Sequence, residues 1–175
     1  LGQRRGDHRA GDGGGIAVMF GSDATITGNV IRGNMAMQTG GGICVFQSSP
    51  TIANNSIVNN QSYAVGQVAT GGAPRISWGG GGIYVTERDL EERTSPDARA
   101  NAVIINNVIA ANGGAFFSGG VFVRHAEMSP VLIANNTIVS NNGAGVAFYD
   151  AGPQIHNNII AFNLSGVYGG TNPLG

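Results

Sequence analysis

Apolar and polar positions alternate in short bursts along most of this chain, and the bursts recur. A glycine run leads into apolar-x-apolar, then a turn, an isoleucine, an Asn pair, a second isoleucine and a final Asn. Residues 40–60, GGGICVFQSSPTIANNSIVNN, are the clearest copy, and others begin near Gly13, Gly79, Gly119 and Gly143. Successive side chains of a strand point to opposite faces, so each burst predicts a short strand with one inward face. Four apolar columns align. They are Ile16, Ile43, Ile83, Val121 and Val146; Val18, Val45, Val85, Val123 and Phe148; Ile26, Ile52, Ile104, Ile133 and Ile155; and Ile31, Ile57, Ile109, Ile138 and Ile160. Nearly all are β-branched, which suits a pleated wall of stacked strands.

Two polar columns are equally regular: Asn29, Asn55, Asn107, Asn136 and Asn158, and Asn34, Asn60, Asn112, Asn141 and Asn163. Asn tolerates the left-handed backbone of a sharp corner, so these positions are expected to form the turns between strands. Stacked about 4.8 Å apart, their amides can also donate to the neighbouring rung's carbonyls. Such a ladder would fix the register that a wall of near-identical isoleucines leaves open.

The third column sets the rung lengths: 26 residues from Ile26 to Ile52, 29 from Ile104 to Ile133 and 22 from Ile133 to Ile155. The interval of 52 between Ile52 and Ile104 contains one glycine run, at Gly79 to Gly82. It therefore reads as one rung with insertions near 61–78 and 86–102. Five rungs make a solenoid roughly 25 Å long. Residues 1–12 read as a tail or the remnant of a preceding rung, 13–168 as the repeat domain and 169–175 as a C-terminal tail. Ser165 to Tyr168 looks like the start of a sixth rung, so missing flanking rungs are part of the expectation.

With these repeats in view, the chain resembles the right-handed parallel β-helix proteins of the pectate-lyase-like superfamily, over about Gly13 to Tyr168. The resemblance implies an all-β solenoid. It implies little about activity, because lyases, hydrolases, epimerases and adhesins share this repeat.

Composition narrows the field. Charged residues are 11% of the chain and the formal net charge is -1, which gives no electrostatic footprint for nucleic acid. No apolar run reaches the ~18–20 residues that span a bilayer. Lys is absent, so no P-loop can operate. Cys44 is the single cysteine, which excludes an intrachain disulfide. The three histidines show no metal-ligand spacing, and no metal ligand is assigned from the sequence.

In the enzymes that this chain resembles, substrate lies across the first strand of successive rungs. Carried over, the outward rows are Ala17, Cys44, Tyr84, Phe122 and Ala147, and then Met19, Phe46, Thr86, Arg124 and Tyr149. Phe20, Gln47, Glu87, His125 and Asp150 follow at the strand exits. Phe46, Tyr84, Phe122 and Arg88 are the expected substrate-binding residues, offering flat rings and a charge to a sugar chain. Arg124, His125, Tyr149, Glu87 and Asp150 are the candidate catalytic residues. Arg124 could neutralise a uronate and acidify its C5 proton, with His125 or Tyr149 as base and the other as acid. Alternatively, Arg124 simply pairs with Glu87 or Asp150, and the aromatics simply pack under the insertions. A hydrolase would need two carboxyl groups. Glu87 and Asp150, two rungs apart, would be separated by about 9–10 Å, at the edge of the ~6.5–9.5 Å used for inversion.

The expected function is thus a secreted or cell-surface β-helix that binds an acidic polysaccharide, with its cleavage by β-elimination, as in a polysaccharide lyase, left open. A glycoside hydrolase is one alternative. A non-catalytic structural or adhesive solenoid that self-associates end to end is the other, and whether the chain is an enzyme at all stays open. Calcium is the one cofactor that the resemblance suggests. Residues 86–99 hold Glu87, Asp89, Glu91, Glu92 and Asp97, but Arg88, Arg93 and Arg99 are interleaved, which favours a self-neutralised, solvated loop.

Overall fold

A computed structural model describes residues 13–63, 79–87 and 98–170, with 115–117 described as backbone only. The chain winds through successive rungs. The first carries β1 (Ile16–Met19), β2 (Thr25–Thr27), β3 (Val30–Arg32) and the short β4 (Met35–Ala36). The second carries β5 (Ile43–Phe46), β6 (Thr51–Ala53), β7 (Ser56–Val58) and β8 (Gln61–Ser62). The third has β9 (Ile83–Thr86), β10 (Val103–Ile105) and β11 (Val108–Ala110). The fourth has β12 (Gly113–Ala126), β13 (Leu132–Ala134) and β14 (Thr137–Val139). The fifth has β15 (Asn142–Ala151), β16 (Gln154–His156) and β17 (Ile159–Ala161), and β18 (Ser165–Gly170) opens a sixth.

Every strand pairing is parallel, and β12 begins at the close of the third rung, where Gly113 pairs with Gln61 of β8, before it enters the fourth; the chain is a parallel β-helix with three sheets. One sheet runs β1-β5-β9-β12-β15-β18, with β4 and β8 beside it; the others run β2-β6-β10-β13-β16 and β3-β7-β11-β14-β17. All four apolar columns fall in register. Ile43 pairs with Ile16 and Ile83, and Ile109 with Ile57 and Ile138. Ile52 pairs directly with Ile104, so the 52-residue interval is a single rung. Gln61 and Ser62 belong to β8, and Ala98, Ala100 and Ala102 are buried in the wall. The segments between them, 64–78 and 88–97, lie outside the described residues, as do the expected N-terminal tail and most of the C-terminal one.

The asparagine columns form the ladders, but they are not the left-handed turn residues. Positive φ falls one position earlier, at Gly28, Asn54, Asn106, Asn135 and Asn157 in one corner and at Gly33, Asn59, Ala111, Ser140 and Phe162 in the other. The division follows from alternation. A ladder amide must point to the interior, so the sharp bend is displaced to the outward neighbour. Asn107 illustrates the result. Its Nδ2 donates to Ile52 O at 2.9 Å and to Asn136 Oδ1 at 3.0 Å. Its Oδ1 accepts from the Asn55 backbone N–H at 2.9 Å and from Asn55 Nδ2 at 3.0 Å.

Glycine has a steric reason at the start of the first strand. A Cβ on Gly82 would lie 2.6 Å from Gly120 O, 3.1 Å from Ile109 Cγ2 and 3.2 Å from Asn112 Nδ2. Gly42 faces the same three kinds of atom in its own rung. The corner backbone thus presses against the next rung's carbonyl and the end of the ladder.

Candidate functional site

The expected groove residues stand on the outward side of β5, β9, β12 and β15, a face that β18 continues. Two rows alternate on it. In one, Cys44, Tyr84, Phe122, Ala147 and Tyr168 are neighbours; in the other, Phe46, Thr86, Arg124 and Tyr149. Both rows follow from period-two alternation, because the intervening valines and isoleucines face the core.

Most of this face is covered. Tyr84 and Phe122 are each 4% exposed and Phe46 is 5% exposed, so none presents an open platform to a sugar chain. Tyr84 and Phe122 pack with ring centroids 5.6 Å apart, and Phe46 meets Phe20 edge-on at 5.5 Å. With Cys44, Ala144 and Ala147, Tyr84 and Phe122 make a second apolar cluster on the outside of the sheet. Arg88, the fourth expected binding residue, lies outside the described residues.

Of the candidate catalytic residues, Glu87 is enclosed. Its carboxylate accepts a hydrogen bond from Ser129 Oγ, whose oxygen also accepts from the Ala100 backbone N–H at 2.7 Å. Its backbone carbonyl accepts from Gln47 Nε2 at 2.9 Å. These contacts clamp the strand exit to the wall and keep the carboxylate away from solvent, a placement suited to support and not to proton transfer. Glu87 is the one acidic residue of the suspected calcium loop that the structure describes. Calcium needs six to eight oxygen ligands, so the described part of that loop offers no set that fits it.

The remaining four come together on two adjacent strands. Arg124 stands directly beside Tyr149, and the exits bring His125 next to Asp150, with Nδ1 of His125 3.4 Å from Asp150 Oδ2. Arg124 and His125 are buried, while Tyr149 and Asp150 are half-buried and Tyr168 is exposed. The phenol of Tyr149 is pushed above its usual pKa, chiefly by burial, with the Asp150 carboxylate adding to the shift, Arg124 opposing it and Tyr168 adding a further push. Tyr149 is therefore held as its phenol, a proton donor, more firmly than an ordinary tyrosine.

His125 and Asp150 both have positive φ, at 45° each. The same bend recurs at Phe20 and Gln47 in the earlier rungs, at 59° and 47°, so it is the geometry of the corner and not a strain peculiar to the site. Sequence reasoning missed one neighbour. Glu127, exposed and two residues beyond His125, brings a carboxylate oxygen into the same group. Extending the exit rows beyond the last strand residue would have found it.

Among the described residues, no helix is long and apolar enough to cross a membrane. A family model for the right-handed β-helix region matches residues 74–172, more than half of the chain. The two rungs before that match share its register and its ladders. Neither a curated protein nor a solved structure matches the chain.

Proposed function

The chain belongs to the right-handed β-helix family, and from that premise we propose that it is a secreted or surface-displayed solenoid that binds an acidic polysaccharide across its last two rungs. The supporting observation is the placement of Tyr149 and Tyr168 on the outward side of the neighbouring strands β15 and β18, with Arg124 directly beside Tyr149. Their registers differ by two residues, which sets them diagonally, at about 7–8 Å between backbones. Two aromatic faces can hold sugar rings, and the Arg124 guanidinium, buried beside Tyr149, adds a positive field that favours a uronate carboxylate.

Binding without turnover is the reading that this geometry favours over cleavage. A base for β-elimination must reach a substrate proton. His125, at 1% exposure, is enclosed, and Tyr149 is shifted toward its protonated form. A two-carboxylate hydrolysis would need Glu87, whose carboxylate is held inside the wall by Ser129. The covered Tyr84 and Phe122 row fits the same picture, as part of a rigid scaffold under the binding edge.

Electrophoresis of the full chain through gels containing pectate, alginate or hyaluronan tests this. Retardation by at least one polymer is expected. Tyr168→Ala, a change at an exposed side chain, should relieve it while the circular dichroism stays unchanged. Free migration in all three gels, or retardation indifferent to Tyr168→Ala and Tyr149→Ala, overturns the proposal. Release of unsaturated sugars, read by their ultraviolet absorbance, would restore elimination to first place.

A further inference from the structure

Where β12 and β15 leave their sheet, one ligand atom from each of His125, Glu127 and Asp150 lies within 4.8 Å of the others. We propose that these three side chains form a binding site for a divalent transition-metal ion of the zinc class, built on the turns of two adjacent rungs. Three features carry the inference. His125 is 1% exposed and fixed by the wall of the solenoid, so its imidazole is a pre-placed nitrogen ligand. The separation from its Nδ1 to Asp150 Oδ2 is 3.4 Å, longer than the 2.7–3.2 Å of a good N–H···O bond. It equals the edge of a tetrahedron whose metal–ligand bonds are about 2.0–2.1 Å long, roughly 3.4 Å. The third ligand, Glu127, is exposed and on a flexible side chain, so it can close the last part of the distance.

The donor set decides the class of ion. One imidazole and two carboxylates suit zinc, manganese or iron, whereas calcium and magnesium prefer sites made of oxygen alone. Three protein ligands leave a fourth position open, on the solvent side where Glu127 and Asp150 stand. The ligands come from two rungs, so a bound ion would cross-link β12 to β15 at the edge of the sheet. The inference is independent of any carbohydrate ligand.

The test uses the full chain, freed of metal by chelation and titrated calorimetrically with zinc chloride and, separately, calcium chloride. One zinc per chain is expected, together with a rise in Tm, and calcium should produce neither. Cobalt chloride should give the intense visible absorption of a tetrahedral site. Glu127→Gln removes one ligand at an exposed position, and Asp150→Asn removes another. Each should weaken zinc binding at least ten-fold with the Tm of the metal-free protein unchanged. Failure to bind zinc, or binding equally tight in Glu127→Gln and Asp150→Asn, overturns the site and leaves His125 and Asp150 as an ion pair only.

Discussion

Asn107 shows how much one side chain can carry in this fold. Its amide makes four hydrogen bonds to the rungs on either side and is 1% exposed. Truncation would leave the Asn55 backbone N–H and one Asn55 amide N–H unmet in the interior, where each unmet group costs about 1–3 kcal/mol. Asn107→Ala should therefore destabilise the protein by at least about 2 kcal/mol. Asn29→Ala, at the exposed head of the same column, should cost about 1 kcal/mol or less. Urea unfolding of the two variants checks this, and equal losses would mean that the ladder is decoration. The sequence revealed these residues but not their roles. Asn at a fixed offset looks the same whether it bends the backbone or points inward. Only the backbone angles assign the bend to Asn106 and the ladder to Asn107.

Single strands here are too short to be stable alone, most being three or four residues, and they exist because a neighbour pairs on each side. The wall therefore depends on how closely rungs can approach, and the glycine before each first strand governs that approach. Gly82→Ala would force a methyl group against Gly120 O, a backbone atom that cannot swing away. A loss of about 1–3 kcal/mol is expected, as for other overpacked sites. Thermal unfolding measures it, and an unchanged Tm would show that the corner can relax. At this scale the sequence was most informative. Period-two alternation and constant offsets between isoleucines placed all four columns in the observed register, since a one-residue slip would turn every isoleucine outward. The outward rows were equally legible as rows, but not their exposure. Alternation tells inside from outside of a strand; it cannot tell that Tyr84 and Phe122 are covered while Tyr168 is open. Nor did spacing reveal Glu127, which joins His125 and Asp150 through a turn beyond the repeat.

The whole molecule is quasi-one-dimensional, each rung touching only those above and below it, so stability should vary along its axis. Ile57, Ile109 and Ile138 are fully buried, whereas Ile155 and Ile160 of the fifth rung are only partly covered and β18 is mostly exposed. Hydrogen exchange should thus be slowest for amides of β7, β11 and β14 and fastest for β16 to β18. Uniform protection would mean that the solenoid opens only as a unit. The ladders add a property of a different kind. From Asn55 through Asn107 and Asn136 to Asn158, each amide donates to the oxygen of the next, always in the same direction along the axis. A column of this sort reads differently from its two ends. Two copies joined so as to continue it must meet head to tail, because a two-fold axis would set donor against donor or acceptor against acceptor. A joint without that symmetry repeats without closing, so its products are filaments of open length and never a closed pair.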